Sequence, residues 1–219
     1  MPLRIIDRPI AMSKKMKPVD HVPLTEEQIR AYTIGELRPL SAQIQISDYD
    51  PRWPELFARE ADRIRTTLGD QALRIEHTGS TSVPGLPAKP ILDVLLVVAN
   101  SGNEDTYVPA LEAAGYFLRI RENNWYEHRM FNRHGAEVNL HVFSSGCPEI
   151  DRMLKFRDWL RNNASDRDLY ARTKLALAQK EWKYVQNYAD AKSAVIAEIM
   201  ERVHADSSEM QVKDFATSC

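Results

Sequence analysis

The stretch that most constrains the fold is Ile91–Val98, ILDVLLVV, which is apolar apart from Asp93. A run this short and this apolar reads as a strand buried on both faces, at the centre of a sheet with further layers on either side. A carboxylate inside such a strand is expensive unless it is paired, hydrogen-bonded or coordinated to a cation. Asp93 is the third residue of the run, beside a loop, and strand ends next to loops are where ligand-facing residues collect in mixed sheets. It marks either an internally satisfied carboxylate or the floor of a site.

The flanking pattern fixes the rest of the architecture. Ala42–Ile46, AQIQI, alternates and reads as a strand, and DPRWP then opens a helix over Glu55–Leu68 with Pro54 in its first turn. Ala72–His77 reads as a short strand, Thr106–Ala114 as a helix ended by Gly115, and Trp125–Asn132 and Glu137–Phe143 as two strands joined by the tight RHGA turn. From Glu149 to about His204 the chain is helical, with breaks near Asn162–Ser165 and Asn187–Asp190. The expected fold is an α+β domain over residues 41–205, a mixed β-sheet with flanking helices and a helical C-terminal part. Residues 1–40, rich in proline and charge, form a partly ordered N-terminal extension with one short helix, Thr25–Tyr32, capped by Thr25 with Glu27 or Gln28 in support. Residues 206–219 form a tail.

Charge and cysteine content narrow the function. Lys and Arg total 29 against 31 for Asp and Glu, so nothing in the bulk charge favours duplex nucleic acid as partner. No apolar run approaches the ~18 residues that span a bilayer. Cys147 and Cys219 supply neither a disulfide framework nor a paired-cysteine zinc site, and residues 1–20 lack the apolar core of a secretory signal, which together point to a reducing, cytoplasmic compartment. The oligomeric state stays open, a homo-oligomer included.

The loop before the strand, HTGSTSVPGLPAKP from His77 to Pro90, carries the densest chemistry. Gly79, Ser80, Thr81 and Ser82 form a turn whose hydroxyls and free backbone N–H groups can act as an anion nest. Pro84, Pro87 and Pro90 stiffen it, and Lys89 places a cation where a phosphate in the loop would meet it. The plainer reading is a rigid connection whose hydroxyls satisfy their own backbone. Further on, His141 could contact a metal or a phosphate or sit satisfied in the core, and His77 has the same two readings. Arg157 and Arg161 share one helix face, as an arginine fork for phosphate or carboxylate or as exposed charges. Lys174 and Lys192 are helical, with Tyr188 one turn before Lys192.

The run HTGSTSVPGLPAKPILDVLLVV resembles the signature of the GrpB family, small proteins of the DNA polymerase beta-like nucleotidyltransferase superfamily. NLHVF at Asn139–Phe143, LKFRDWLRNN at Leu154–Asn163, and the Tyr170…Lys174 and Tyr188…Lys192 pairs resemble its later blocks, so the likeness covers about residues 44–200. The resemblance implies that Gly79 and Ser80 grip nucleotide phosphates, that Asp93 is a magnesium carboxylate, and that Arg157, Lys174 and Lys192 face the cleft. The second carboxylate of the superfamily's strand is replaced by Leu95, and Glu137 is the candidate for a further one, on one face with Asn139 and His141. Three functions follow as expectations. One is transfer of AMP from a nucleoside triphosphate, ATP foremost, to a small acceptor, with Asp93, Glu137 and His141 in the chemistry. The second is a non-catalytic module that binds a nucleotide or a small anionic metabolite. The third is another small-molecule enzyme reusing the cleft.

Overall fold

The computed structural model describes residues 24–217, with side chains as far as residue 206; residues 1–23, the side chains of the expected tail from residue 207, and Cys219 lie outside the described residues. Five strands form one sheet: β1 (Arg74–Thr78), β2 (Leu92–Val98), β3 (Tyr116–Glu122), β4 (His128–Arg133) and β5 (Ala136–Ser144). Their spatial order is β1-β2-β5-β4-β3, with β2 and β5 parallel and every other neighbour antiparallel. The helices are α1 (Glu26–Tyr32), α2 (Trp53–Leu68), α3 (Val108–Ala113), α4 (Pro148–Asn162), α5 (Ala164–Ala178), α6 (Val185–Asp190) and α7 (Ser193–Thr217). This is the expected α+β fold, a mixed sheet with helices on both faces and a helical C-terminal part. Among the described residues no helix is long and apolar enough to cross a membrane.

β2 lies between neighbours and between layers, which is why its sequence is apolar at successive positions and not at alternate ones. Val94, Leu96 and Val98 pack with Ile64 and Leu68 of α2 and with Tyr107 and Leu111. Leu95 and Val97 turn the other way, onto Phe143 of β5 and Ile150 and Leu154 of α4. By the strand period of two, Asp93 belongs to this second face, level with Thr78 of β1 and Asn139 of β5. The proline-rich loop is itself core: Val83 and Leu86 pack with Leu160, Tyr170, Val195 and Ile199. Helices α4, α5 and α7 therefore form a wall beside the loop.

Four expectations need correction. AQIQI is no strand: Ser47 bridges Ala88, and the alternation exists because Ile44 and Ile46 pack near Ala178 and Tyr188. Tyr116–Glu122 is a full strand that the sequence reading passes over, its pattern blurred by Arg119 and Arg121 and by a register shift between Leu118 and Ile120. Trp125 belongs to the turn before β4, where Tyr126 and Glu127 take φ of 52° and 49°. Asn187–Asp190 is helical, and the chain breaks on either side of α6. In α1 the capping partner of Thr25 is Gln28, in a reciprocal capping box.

His77 lies on the α2 face, away from Asp93. Its ring stacks on Phe57 with centroids 4.7 Å apart, and Nε2 sits 3.0 Å from the Thr81 hydroxyl. Burial pushes its pKa from the ordinary 6.5 down to about 4. The unfolded chain binds this proton more readily, so the stability is whole above pH 6.5 and is lost as pH falls toward 4. Urea denaturation across that window is expected to show a loss of roughly 3 kcal/mol that flattens in His77→Gln.

Candidate functional site

Gly79 ends β1 with φ of 65° and ψ of −172°. A Cβ built on it would lie 2.1 Å from Asp93 Oδ2 and 2.8 Å from Asp93 Cβ. The turn is thus laid directly against the carboxylate, and glycine is needed for its backbone conformation and for the space. The hydroxyls that follow divide by task. Ser82 Oγ donates to the Gly79 carbonyl at 2.6 Å, and Thr81 Oγ1 donates to the Ile91 carbonyl at 3.3 Å, both from buried side chains. These two serve the loop, as the plainer sequence reading has it. Ser80 instead lies beside the Tyr170 phenol on α5.

The arginines of α4 also serve the scaffold. Arg157, expected to meet phosphate, donates to Glu76 Oε2 at 2.8 Å, to the His77 carbonyl at 3.0 Å and to Asp158. Through Glu76 and the His77 carbonyl its guanidinium clasps α4 to β1. Arg161 donates twice to the Ser82 carbonyl, at 3.0 and 2.8 Å, and so fixes the turn.

Asp93 holds the centre. Its Oδ1 accepts from Asn139 Nδ2 at 2.9 Å and lies 3.7 Å from His141 Nε2, and its side chain keeps 30% of its surface open. Burial raises its pKa, but His141, Asn139 and Lys192 outweigh that and hold the group below its ordinary value. Three lysines gather on the helix and loop side. Lys174, 2% exposed, donates to the Pro87 carbonyl at 2.5 Å and sits 5.0 Å from the Tyr170 ring centroid. Lys192, expected on a helix, lies instead in the turn between α6 and α7 and sits 4.9 Å from the centroid of Tyr188. Burial and the neighbouring Lys192 charge, against the pull of Asp93, bring Lys174 down to about 7. Burial also lowers Lys192 and Lys89, with Lys192 adding to the effect on Lys89 while Asp93 and Glu137 oppose it. Tyr188 Oη is buried with no hydrogen-bond partner among the described residues, and its phenol feels the charge of Tyr170.

A second feature crosses the same face. Glu122 Oε2 lies 2.7 Å from His128 Nδ1, and His128 Nε2 lies 3.0 Å from His141 Nδ1. Glu122, His128, His141 and Asp93 stand on β3, β4, β5 and β2, so the row runs across the sheet. Burial lowers the pKa of His128 against the opposing Glu122. A neutral His128 that gives its Nδ1 proton to Glu122 must accept from His141 Nδ1–H, which leaves His141 Nε2 as the ring nitrogen that faces Asp93 Oδ1. Glu122 was missed in the sequence because β3 was missed, and His128, inside an expected strand, was not singled out. The register across the RHGA turn pairs His141 with Met130, so His128, two residues along β4, is its diagonal neighbour on the same face, and that was the signal available. Glu137 is exposed at the start of β5, two residues before Asn139. No group of three or more His, Cys, Asp or Glu side chains among the described residues is placed to hold a metal ion.

The site residues thus fall within one conserved-protein family's extent: the family described as GrpB protein matches residues 43–202. The chain belongs to the GrpB family. A UPF0157 protein of Halalkalibacterium halodurans is 62% identical over 183 residues, covering 84% of this chain and 94% of that one. The crystal structure of the conserved protein GrpB from Enterococcus faecalis is similar with a TM-score of 0.66 at 31% identity, covering 74% of this chain and 99% of that one. A protein named dephospho-CoA kinase, from Mycolicibacterium paratuberculosis, is 27% identical over 176 residues, covering 68% of this chain but 43% of its own length.

The contact of turn and carboxylate makes Gly79→Ala the most damaging single methyl in this GrpB site. A positive φ and a clash with Asp93 together are expected to cost roughly 3 kcal/mol or more, read as a lower urea midpoint at unchanged m-value.

Proposed function

We propose that the GrpB cleft binds the phosphate of a nucleotide or of another small phosphorylated metabolite, with ATP the leading candidate. One observation carries this reading: Lys174 and Lys192 stand over the rings of Tyr170 and Tyr188, they and Lys89 lie within electrostatic reach of the Asp93 carboxylate, and the buried Tyr188 hydroxyl beside Lys192 has no hydrogen-bond partner among the described residues. Partly buried ammonium groups in excess of their counter-charge are costly to keep, and an anionic guest removes that cost. A phosphate would accept from the lysines and from Tyr188 Oη, next to the Ser80 hydroxyl. The turn of Gly79 and Ser80 ahead of β2, with Asp93 at its mouth, keeps the arrangement that the nucleotidyltransferase likeness implies. Relatives named dephospho-CoA kinase contain a similar segment, which supports a phosphorylated coenzyme or its precursor as a further candidate. Thermal unfolding with ATP, pyrophosphate and dephospho-CoA tests the reading. A true ligand at ~100 times its dissociation constant adds about 2.7 kcal/mol to the folded state. Lys192→Met is expected to remove that gain while folding normally, and a wild-type chain stabilised by none of the three would end the proposal.

The row Glu122–His128–His141 favours a second, catalytic reading: transfer of AMP to a small acceptor. His141 Nε2 would take the proton of an acceptor hydroxyl as its oxygen bonds to the α-phosphorus and the bond to pyrophosphate breaks. The lysines would stabilise the charge gathering on the leaving group. His141→Gln is then expected to abolish pyrophosphate release while ATP affinity stays within about three-fold, since the change removes a base and not a charge contact. Wild-type protein that binds ATP yet releases no pyrophosphate with any of a panel of alcohols, amines and acids leaves the binding module as the function.

A further inference from the structure

We infer that the GrpB cleft takes its phosphate without a divalent metal, and that Lys89, Lys174 and Lys192 supply the positive charge for which the nucleotidyltransferase likeness calls on magnesium. The inference rests on the phosphate reading above and concerns how the site neutralises its guest.

The residues around Asp93 do not fit magnesium, which asks for near-octahedral oxygen donors and binds through one or two carboxylates plus substrate phosphates. Of the two Asp93 oxygens, Oδ2 is pressed against the Gly79 backbone, and Oδ1 already accepts from Asn139 Nδ2 with His141 Nε2 alongside. Asn139 cannot turn its own oxygen to a cation there. Its Oδ1 accepts from Asn132 Nδ2 at 2.9 Å, so the amide points its hydrogens at Asp93. The position two residues along β2 is Leu95, wholly buried against α4 and level with His141. Glu137, the remaining candidate carboxylate, is exposed at the beginning of β5 and bears on Lys89.

The charges argue the same way. The ammonium groups of Lys174 and Lys192 repel each other and are both drawn to Asp93, and Lys89 feels Lys192 and Asp93 together. A divalent cation brought to Asp93 would add its charge to theirs, whereas a metal-free polyphosphate would meet all three. Asp93 becomes the anchor that holds the lysines and His141 in place while the site is empty of anion. The ligand class is a pyrophosphate-containing anion in its uncomplexed form.

Calorimetric titration of the full chain with inorganic pyrophosphate and with ATP, first in EDTA and then in excess magnesium or manganese, tests this. Both anions are expected to bind in EDTA, and excess magnesium is expected to weaken binding by about ten-fold because it competes with the lysines for the phosphate charge. Lys174→Met and Lys192→Met should each lower affinity in EDTA by about ten-fold or more. Asp93→Asn gives the sign: affinity should hold or rise, since an anion loses a repelling neighbour, whereas a metal site would lose its ligand and its affinity. Binding that fails in EDTA and returns with magnesium or manganese overturns the metal-free site and leaves the phosphate reading standing. A protein that binds neither anion under either condition overturns both.

Discussion

The arrangement depends on one close contact, the Gly79 backbone against the Asp93 carboxylate. A charged group at the mouth of a strand buried on both faces needs partners, and here they come from three directions: the turn after β1, Asn139 and His141 on β5, and the lysines of the loop and helices. Each partner is in turn held by the scaffold. Arg161 pins the turn through the Ser82 carbonyl, Asn132 orients Asn139, and the Pro87 carbonyl receives Lys174. The groups around Asp93 are thus held in place by a further layer of contacts.

The division of labour among similar residues follows from burial and reach. Of three hydroxyls in the turn, two close the loop on itself and one faces α5. Of two arginines one turn apart, both brace the scaffold, because β1 and the turn offer carboxylate and carbonyl oxygens at hydrogen-bond distance. Among the described residues Lys174 is the most deeply buried of the lysines, and the aromatic faces of Tyr170 and Tyr188 support Lys174 and Lys192. The positive charge around Asp93 therefore belongs to lysine.

Much of this was legible in the residues. Ile91–Val98 announced a central strand because nothing but burial on both faces tolerates that composition, and the loop before it announced a rigid turn through its prolines and glycines. Asp93 stood out because a carboxylate there has to be satisfied. Less legible was everything set by contacts distant in sequence. Ala42–Ile46 alternates as a strand does, yet packing of one side on helices produces the same period. Strand β3 carries two arginines, and its edge position softens the apolar signal. The histidine row needed β3 before Glu122 could be seen opposite His128. That Arg157 would find Glu76, 81 residues away, no local pattern could say.

The segment ahead of the GrpB region has a consequence for the order of assembly. Thr33 bridges Ile120 at the outer margin of the sheet, Ile29 and Leu37 pack on Tyr184, and the Leu24 amide donates to Asp190, 166 positions later in the chain. Closing so long a loop costs entropy before any contact repays it, so these links form late. During synthesis the early residues must wait for α6 to emerge before the clasp can shut, and the helix bearing Tyr188 acquires this support only once the chain has been made as far as Asp190.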